Sequence, residues 1–400
     1  MVRNDPAHQG EASCAPEFNL FLRRDGASEG VLTPSESLSR SELHVLASDV
    51  ARLSRLLTKG REELPPAYLR DEGLRGAYTA YFLPANLSKI HKPLHELSLH
   101  PGALFSKQKL RILDIGAGPG TASLGALDFF SRQALRPRLE LVAVDQVAAN
   151  LKEAESFFRE RQGGVDASLT TLCSDIKGLE RHVKGRFDVI IFANVLNELF
   201  AHDPQRTGHR TALLSGVLER LLAPEGSCIV IEPALRETSR DLLEVRDGMI
   251  AKGLQVYSPC LGNAACPARA NPRDWCHEDI PWEPPSLVRE IDKLTGLRKD
   301  SLKFSYLVLR RDGLSLTDVC GREAFRVVSE PLASKGKLEF YLCGFGGRRL
   351  ITRLDKDATS LNQAFEKLRR GDVVAFNDLT DEGKRYKLQK ETTVSSCSAR

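Results

Sequence analysis

Apolar residues repeat with two different periods along this chain, and the point where the period changes divides it. From residue 41 onward Leu43, Leu46, Val50, Leu53 and Leu57 fall three or four positions apart. That is the spacing of one buried helix stripe, and Ser41 followed by Glu42 supplies a start. A second helical stretch is predicted over about 66–97, with Tyr68, Leu74, Tyr78, Tyr81 and Phe82 among its apolar positions and Pro84 and Pro93 as breaks. Those aromatics read as core rather than as base-stacking groups. Beyond residue 109 the stripe gives way to short continuous apolar runs. Strands are predicted at 110–115, 139–145, about 169–173, 187–193 and 228–232, with helices at about 121–133, 147–161 and 210–222. Strands alternating with helices of this length predict an α/β domain, a parallel sheet covered by helices on both faces. In such a sheet ligands bind beyond the carboxyl ends of the strands.

The first strand runs directly into Asp114-Ile115-Gly116-Ala117-Gly118-Pro119-Gly120-Thr121. Glycine at every second position allows backbone conformations and a ligand approach that a Cβ would block. The helix that begins near Thr121 points its positive end at the same place. A dinucleotide loop spaces its glycines G-x-G-x-x-G, which this loop does not. With Asp114 two residues ahead of Gly116, the loop instead resembles that of the class I S-adenosylmethionine (SAM) methyltransferases. In that family it faces the amino-acid end of SAM, and an acid ending the second strand binds the ribose hydroxyls. Asp145 ends the second predicted strand, 25 residues beyond Gly120, and Asp175 follows the third, where the family's layout places the adenine. The resemblance implies SAM as cofactor, with Asp114, Gly116, Gly118, Gly120, Asp145, Asp175 and Asn194 as its binding residues.

The fourth strand ends Ala193-Asn194-Val195-Leu196-Asn197-Glu198-Leu199, where methyltransferases keep residues that face the acceptor. Asn194, Asn197 and Glu198 are the candidate catalytic residues, and a purely structural role for Asn197 as a helix cap fits equally well. The Asn/Asp-Pro-Pro-aromatic motif of amino-group nucleic-acid methyltransferases is absent. A pyrimidine C5 methyltransferase needs a cysteine nucleophile near the fourth or fifth strand end, and Pro259-Cys260 comes well after it.

Composition changes this picture in three places. Four hundred residues, 42% of them hydrophobic, suffice for one large α/β domain with a smaller appendage. No run approaches the roughly 18 apolar residues of a membrane span. The first forty residues lack a secretory apolar core, and Asp5, Glu11 and Glu17 argue against an organelle transit peptide, so a cytoplasmic protein is expected. The net charge of +4 is uneven: residues 335–390 hold thirteen Lys and Arg against eight Asp and Glu, which favours a polyanion-facing segment, with a solvated charged surface as the plainer account. Nine scattered cysteines do not form a secreted disulfide framework. Three of them, Cys260, Cys266 and Cys276, crowd a Gly/Pro-rich loop that offers little apolar burial, so metal ligation is the better reading. Zinc and iron–sulfur centres both accept four cysteines. Spacings of six and ten positions match neither paired C-x-x-C knuckles nor a radical SAM motif, which favours a [4Fe–4S] cluster with a fourth ligand from far along the chain.

The SAM loop, the Asn194–Glu198 region, Ile231-Glu232-Pro233 and the Cys-rich loop ending Asp274-Trp275-Cys276-His277 together resemble the mitochondrial ribosomal small-subunit methyltransferase-like family, which takes in methyltransferase-like protein 17 and bacterial relatives. The resemblance covers roughly residues 65–375. It implies four cysteine ligands to a [4Fe–4S] cluster, here Cys260, Cys266, Cys276 and Cys343. Cys320 is the rival fourth ligand, and His277 could replace a thiolate if the metal were zinc. Many relatives follow the first cysteine with Pro-His; here Leu261-Gly262 stands instead. The resemblance further implies small-subunit rRNA as partner, with no DNA or membrane partner expected. Three functions follow as expectations: an rRNA methyltransferase-type protein of subunit maturation or translation, a non-catalytic SAM- and cluster-binding assembly factor, or a small-molecule methyltransferase. The chain divides into a disordered 1–40, an N-terminal helical region 41–105, a SAM-binding core 106–258, the Cys-rich iron–sulfur loop 259–282, the last helix and strand of the core 283–312, a small basic β-rich segment 313–390 and a disordered tail 391–400.

Overall fold

The computed structural model describes residues 38–397 apart from 103, 135 and 384. The expectations for residues 1–37 and 398–400 lie outside the described residues. Four helices come first: α1 (Arg40–Leu57), α2 (Glu72–Ala77), α3 (Leu83–Lys89) and α4 (His91–Ser98). The start of α1 is a capping box set two residues earlier than the Ser41-Glu42 pair: Glu42 N–H donates to Ser39 Oγ and Ser39 N–H to the Glu42 carboxylate. Pro84 and Pro93 do not break helices. Pro84 follows a π-helical turn, Tyr78–Phe82, that carries α2 into α3 without a break, and Pro93 sits in the first turn of α4, where backbone N–H groups have no intrahelical partner to lose.

The core follows as β1 (Lys109–Ile115), α5 (Thr121–Ser131), β2 (Arg138–Asp145), α6 (Ala148–Arg161), β3 (Ala167–Cys173), α7 (Leu179–His182), β4 (Phe187–Ala193), α8 (Arg206–Leu221), β5 (Leu222–Pro233), α9 (Arg236–Ala251), β6 (Gln255–Ser258), α10 (Pro267–Ala270), β7 (Glu278–Pro281), α11 (Ser286–Thr295) and β8 (Ser301–Arg310). Its sheet runs β3-β2-β1-β4-β5-β8-β6, with β7 also paired to β8. This is a class I methyltransferase-like α/β fold. Along β1, β4 and β5 alternate residues enter different cores. Leu110, Ile112, Val189, Ile191, Ile229 and Ile231 meet α1, α3, α5 and α11, whereas Leu113, Ile115, Ile190, Phe192 and Val230 meet α8 and α9. Burial on both faces is why these strands read as unbroken apolar runs.

An all-parallel sheet was expected, and the last strand departs from it: β8 runs antiparallel to both β5 and β6 and slots between them. Strand direction depends on where the chain re-enters the sheet, and an apolar run carries no mark of that. The remaining elements, α12 (Thr317–Cys320), β9 (Ala324–Val327), β10 (Leu332–Ser334), β11 (Lys337–Gly344), β12 (Gly347–Leu354), β13 (Val373–Phe376), β14 (Leu379–Asp381), β15 (Arg385–Leu388) and β16 (Val394–Ser396), form a second mixed sheet, β14-β15-β12-β11-β9-β13-β16, with β10 on β11. The expected disordered tail is corrected here. Val394, Ser395 and Ser396 pair with β13, Cys397 N–H donates to Val373 O, and Cys397 is disulfide-bonded to Cys320.

A buried ion cluster joins the two sheets. Arg326 on β9 is ion-paired with Glu96 of α4 at 2.9 Å and donates to the carbonyls of Pro259 and Gly371, while Tyr306 of β8 donates to the same glutamate. Among the described residues no helix is long and apolar enough to cross a membrane.

Candidate functional site

The glycine loop at the end of β1 is shaped by close approaches on both sides. Gly116, Gly118 and Gly120 all have positive φ, +70°, +54° and +81°, which side chains other than glycine adopt at a cost. A Cβ on Gly116 would lie 2.5 Å from Val195 Cγ2, and one on Gly120 2.9 Å from the Ala154 Cβ. Gly120 therefore serves the packing of α5 against α6 and does not line the cavity described below. Gly118 differs, because a Cβ there would meet nothing nearer than Leu69 at 4.0 Å. It opens onto empty space.

Two carboxylates hold this loop. Asp114 is buried, and one of its oxygens accepts from the Ser123 N–H at 2.9 Å and the Ser123 hydroxyl at 2.8 Å, tying β1 to the first turn of α5. Its other oxygen has no partner in the protein. Burial pushes Asp114 up to about 6 against the pull of those two bonds. Asp145 accepts from the Gly118 N–H at 2.8 Å, the Val147 N–H at 2.8 Å and the Asn150 side chain at 3.1 Å. Burial raises its pKa too.

The turn after β4 is held from below. Glu232, at the end of β5, accepts from the backbone N–H groups of Leu196 and Asn197 at 3.0 and 3.2 Å. Arg210 of α8 donates to the carbonyls of Leu199 and Asn197, and its guanidinium is paired with Asp241 of α9. Asn194 and Phe200, at the two ends of this turn, have φ of +58° and +57°. With Ala67 at +53° they are the non-glycine residues of positive φ among the described residues, and all three line one cavity. Strained backbone gathered at one place is a mark of a functional site.

That cavity measures about 620 Å³ and lies at the carboxyl ends of β1, β2, β3 and β4. Asp114, Gly116, Gly118, Asp145, Asp175, Asn194 and Glu198 all line it, so seven of the residues singled out from the sequence converge. Asp175 is at its rim, accepting from the Lys177 N–H. Asn197 does not line the cavity. Its side-chain oxygen accepts from Arg61 and its carbonyl from Arg210, a structural role. The opposite wall comes from the N-terminal region: Arg61, Pro65, Pro66, Ala67, Tyr68 and Tyr78. Tyr68 donates to Glu198 at 3.4 Å, and the Tyr78 hydroxyl lies 3.4 Å from that of Thr121. These tyrosines are buried, as the apolar pattern indicated, yet their hydroxyls belong to the site. Sequence reasoning missed them along with Arg61 and Glu232. Only Glu232 carried a signal, as the acid closing the fifth strand. Burial and then the neighbouring Glu232 charge push Glu198 up to about 8, and burial pushes Glu232 up to about 7.

The four cysteines proposed as ligands lie near enough to act on one another as charges. All are unpaired and half-buried. Burial raises the Cys276 thiol, and Cys260, Cys266 and Cys343 raise it further as neighbouring charges; burial and then Cys260 and Cys266 push Cys343 up to about 12. The loop that carries three of them is moulded by α9. Arg246 donates to the carbonyls of Gly262 and Ala264, and Arg240 to those of Ala268, Asn271 and Asp274. Among the described residues, however, no three His, Cys, Asp or Glu side chains are arranged to hold a metal ion, so a preformed ion site in this insertion is not supported. Cys320 is removed as a ligand by its disulfide to Cys397. His277 stacks on Trp275, with ring centroids 5.9 Å apart, and burial lowers its pKa.

The family model described as mitochondrial small ribosomal subunit Rsm22 matches residues 75–375. A comparison with curated proteins returned no match. Among solved structures, the chain is similar to the plantazolicin methyltransferase BamL, at 12% identity and a TM-score of 0.37, over 68% of this chain and 99% of that one. A putative RNA methyltransferase from Pyrococcus horikoshii aligns at 14% identity and TM-score 0.33, over 56% and 84% of the two chains. An rRNA methylase from Streptococcus thermophilus aligns at 13% and 0.28, over 53% and 92%. Likenesses of this extent leave the site to be read from this chain's own residues.

Proposed function

The chain belongs to the mitochondrial small ribosomal subunit Rsm22 family, and on that premise we propose that it is a SAM-dependent methyltransferase-type protein of the cytoplasm that acts on the small ribosomal subunit, with its rRNA as partner. The observation that carries this reading is the cavity, where an open glycine, an orphaned buried carboxylate oxygen and a second carboxylate meet at the strand ends.

These residues fit SAM. The free oxygen of Asp114 lines a site with room for a cationic amino group, which would give that oxygen a partner. Gly116 and Gly118 offer backbone without a Cβ. Asp145 reaches the side where ribose hydroxyls would bind, and Asp175 marks the adenine end. Bound there, SAM supplies a methyl group on a sulfonium to a nucleophilic acceptor. What the chain itself contributes is at Glu198 and Tyr68: a carboxyl group that changes protonation near neutral pH, within reach of a tyrosine hydroxyl. Glu198 Oε1 can take a proton from an acceptor, and Asn194 adds an amide beside it. Glu232, Arg210 and Arg61 act by holding the 194–200 turn.

The second reading is a non-catalytic SAM-binding assembly factor. It is favoured by one observation: on the acceptor side the chain's own Tyr68 already engages Glu198.

The family resemblance implies a [4Fe–4S] cluster on Cys260, Cys266, Cys276 and Cys343, and this proposal rests on that resemblance alone, since among the described residues no three His, Cys, Asp or Glu side chains are arranged to hold a metal ion.

Mapping rRNA methylation in deletion and wild-type strains tests the function. A methyl group lost on deletion and restored by complementation supports the enzyme. An unchanged rRNA with a subunit-assembly defect establishes the second reading, and protein that crosslinks to no rRNA removes the ribosomal partner.

A further inference from the structure

We propose that the tip of the β11–β12 hairpin is a stacking surface for single-stranded RNA. The inference rests on the small-subunit reading above and adds the place on the chain where that partner is held. From residue 341 to 350 the hairpin reads Tyr-Leu-Cys-Gly-Phe-Gly-Gly-Arg-Arg-Leu: two aromatics, two arginines and no acid. Phe345 is 64% exposed and Tyr341 43% exposed. Rings left in water this way bury little on folding, so they suit a partner that covers them.

The tip is held rigidly. Phe345 and Gly346 form a two-residue turn between β11 and β12. Gly344 is required there, since a Cβ would come within 2.8 Å of the Phe325 ring, and Gly347 turns the chain at a φ of +91°. The hairpin is also braced on the Cys-rich loop. A Cβ on Gly347 would lie 3.9 Å from Pro267, one on Gly262 would lie 4.0 Å from the Phe345 ring, and Arg348 is paired with Asp274. The Arg348 guanidinium lies 5.9 Å from the Tyr341 ring centroid. A ring presented by a fixed backbone loses little freedom when it is covered.

Those features together fit an unpaired RNA strand. Every base has a face that stacks on an aromatic ring whatever its identity, and arginines neutralise the phosphates between bases. The excess of positive charge over residues 335–390 supplies long-range attraction of the right sign. A duplex keeps its base faces covered by their neighbours and offers these rings nothing to stack on.

The test is fluorescence anisotropy with full-length protein and a labelled single-stranded RNA of about 16 nucleotides, the upper site size of a stacking module. A duplex of equal length and purified small-subunit rRNA serve as further probes. The double variant Phe345→Ala, Tyr341→Ala is expected to lose about tenfold or more in affinity for the single strand, at 1–3 kcal/mol per stacked base, with S-adenosylhomocysteine binding and melting temperature unchanged. Phe345→Trp should keep the wild-type affinity and Phe345→Leu should not, which separates stacking from apolar contact. If wild-type protein binds rRNA and the double variant binds the single strand equally well, this surface is wrong while the ribosomal reading stands. If wild-type protein binds neither probe nor rRNA, both fall. Loss of binding to phosphatidylglycerol vesicles with RNA affinity intact would mark a membrane surface and overturn the proposal.

Discussion

Asp114→Asn separates what the glycine loop needs for folding from what it needs for binding. Asp114 is 1% exposed, and its two bonds from Ser123 use only one oxygen. Burial moves its pKa from 3.8 to about 6. At 1.36 kcal/mol per unit, the charged form is about 3 kcal/mol less favourable in the folded protein than in the unfolded chain. The folded-state value lies above the unfolded one, so the folded protein holds the proton between about pH 4 and pH 6. Wild-type stability is therefore highest below that window, falls as pH rises through it, and stays reduced above it. Asparagine keeps an acceptor oxygen for Ser123 and never ionises. The variant should gain up to about 3 kcal/mol over wild type at pH 8 and roughly half of that at pH 5, read from guanidinium unfolding at both values. Titration of every other group cancels in the difference between the two proteins. Over the same change, the affinity for S-adenosylhomocysteine measured by calorimetry should fall, because the orphaned oxygen that would face its ammonium group loses its charge. A variant less stable than wild type at pH 8, or a gain identical at both pH values, would refute the reasoning about the buried charge. Unchanged affinity would show that the free oxygen does not meet the ligand.

The two forward glycines should part company when each is changed to alanine. Gly118→Ala carries only the left-handed strain of about 1–2 kcal/mol yet abolishes ligand binding, whereas Gly116→Ala adds a clash with Val195 and unfolds at clearly lower denaturant. Glu232→Ala leaves the N–H groups of Leu196 and Asn197 buried without acceptors and should destabilise by about 3 kcal/mol, with Glu232→Gln intermediate in the same unfolding assay. Anaerobically purified Cys343→Ser should lose most of its iron and Cys320→Ser none, because Cys320 is committed to Cys397; equal iron contents would count against the assigned ligand set. Methyl transfer to the native acceptor should rise with pH through about 8 and lose that limb in Glu198→Gln, which pH–rate profiles of the two proteins check.

Much of the site was legible because its requirements are local. The strand, the glycine loop and the helix that follows occupy residues 109–131, and Asp145, Asp175, Asn194 and Glu198 could be found as the polar residues after successive apolar runs. Asn197 was placed among the candidate catalytic residues by the same rule and lies outside the cavity, its side chain held by Arg61, 136 residues away. Tyr68 and Tyr78 have the periodicity of core residues and are buried, and no pattern distinguishes a buried ring from a buried ring whose hydroxyl reaches a cavity. The antiparallel course of β8 and the pairing of β16 with β13 left no trace in the apolar periodicity either.

By itself the sequence determined the α/β class, the ligand-type loop and the order of the strands in the chain, because backbone freedom and the period of burial are written in contiguous residues. Tertiary structure alone decided which of those residues meet. It brought Asp145 to the Gly118 N–H, set Glu232 beneath the turn after β4, laid residues 61–69 across the cavity and joined Cys320 to Cys397. Those contacts depend on strand order and direction in space, which follow from how the whole set of apolar faces packs together, and no stretch of chain specifies that alone.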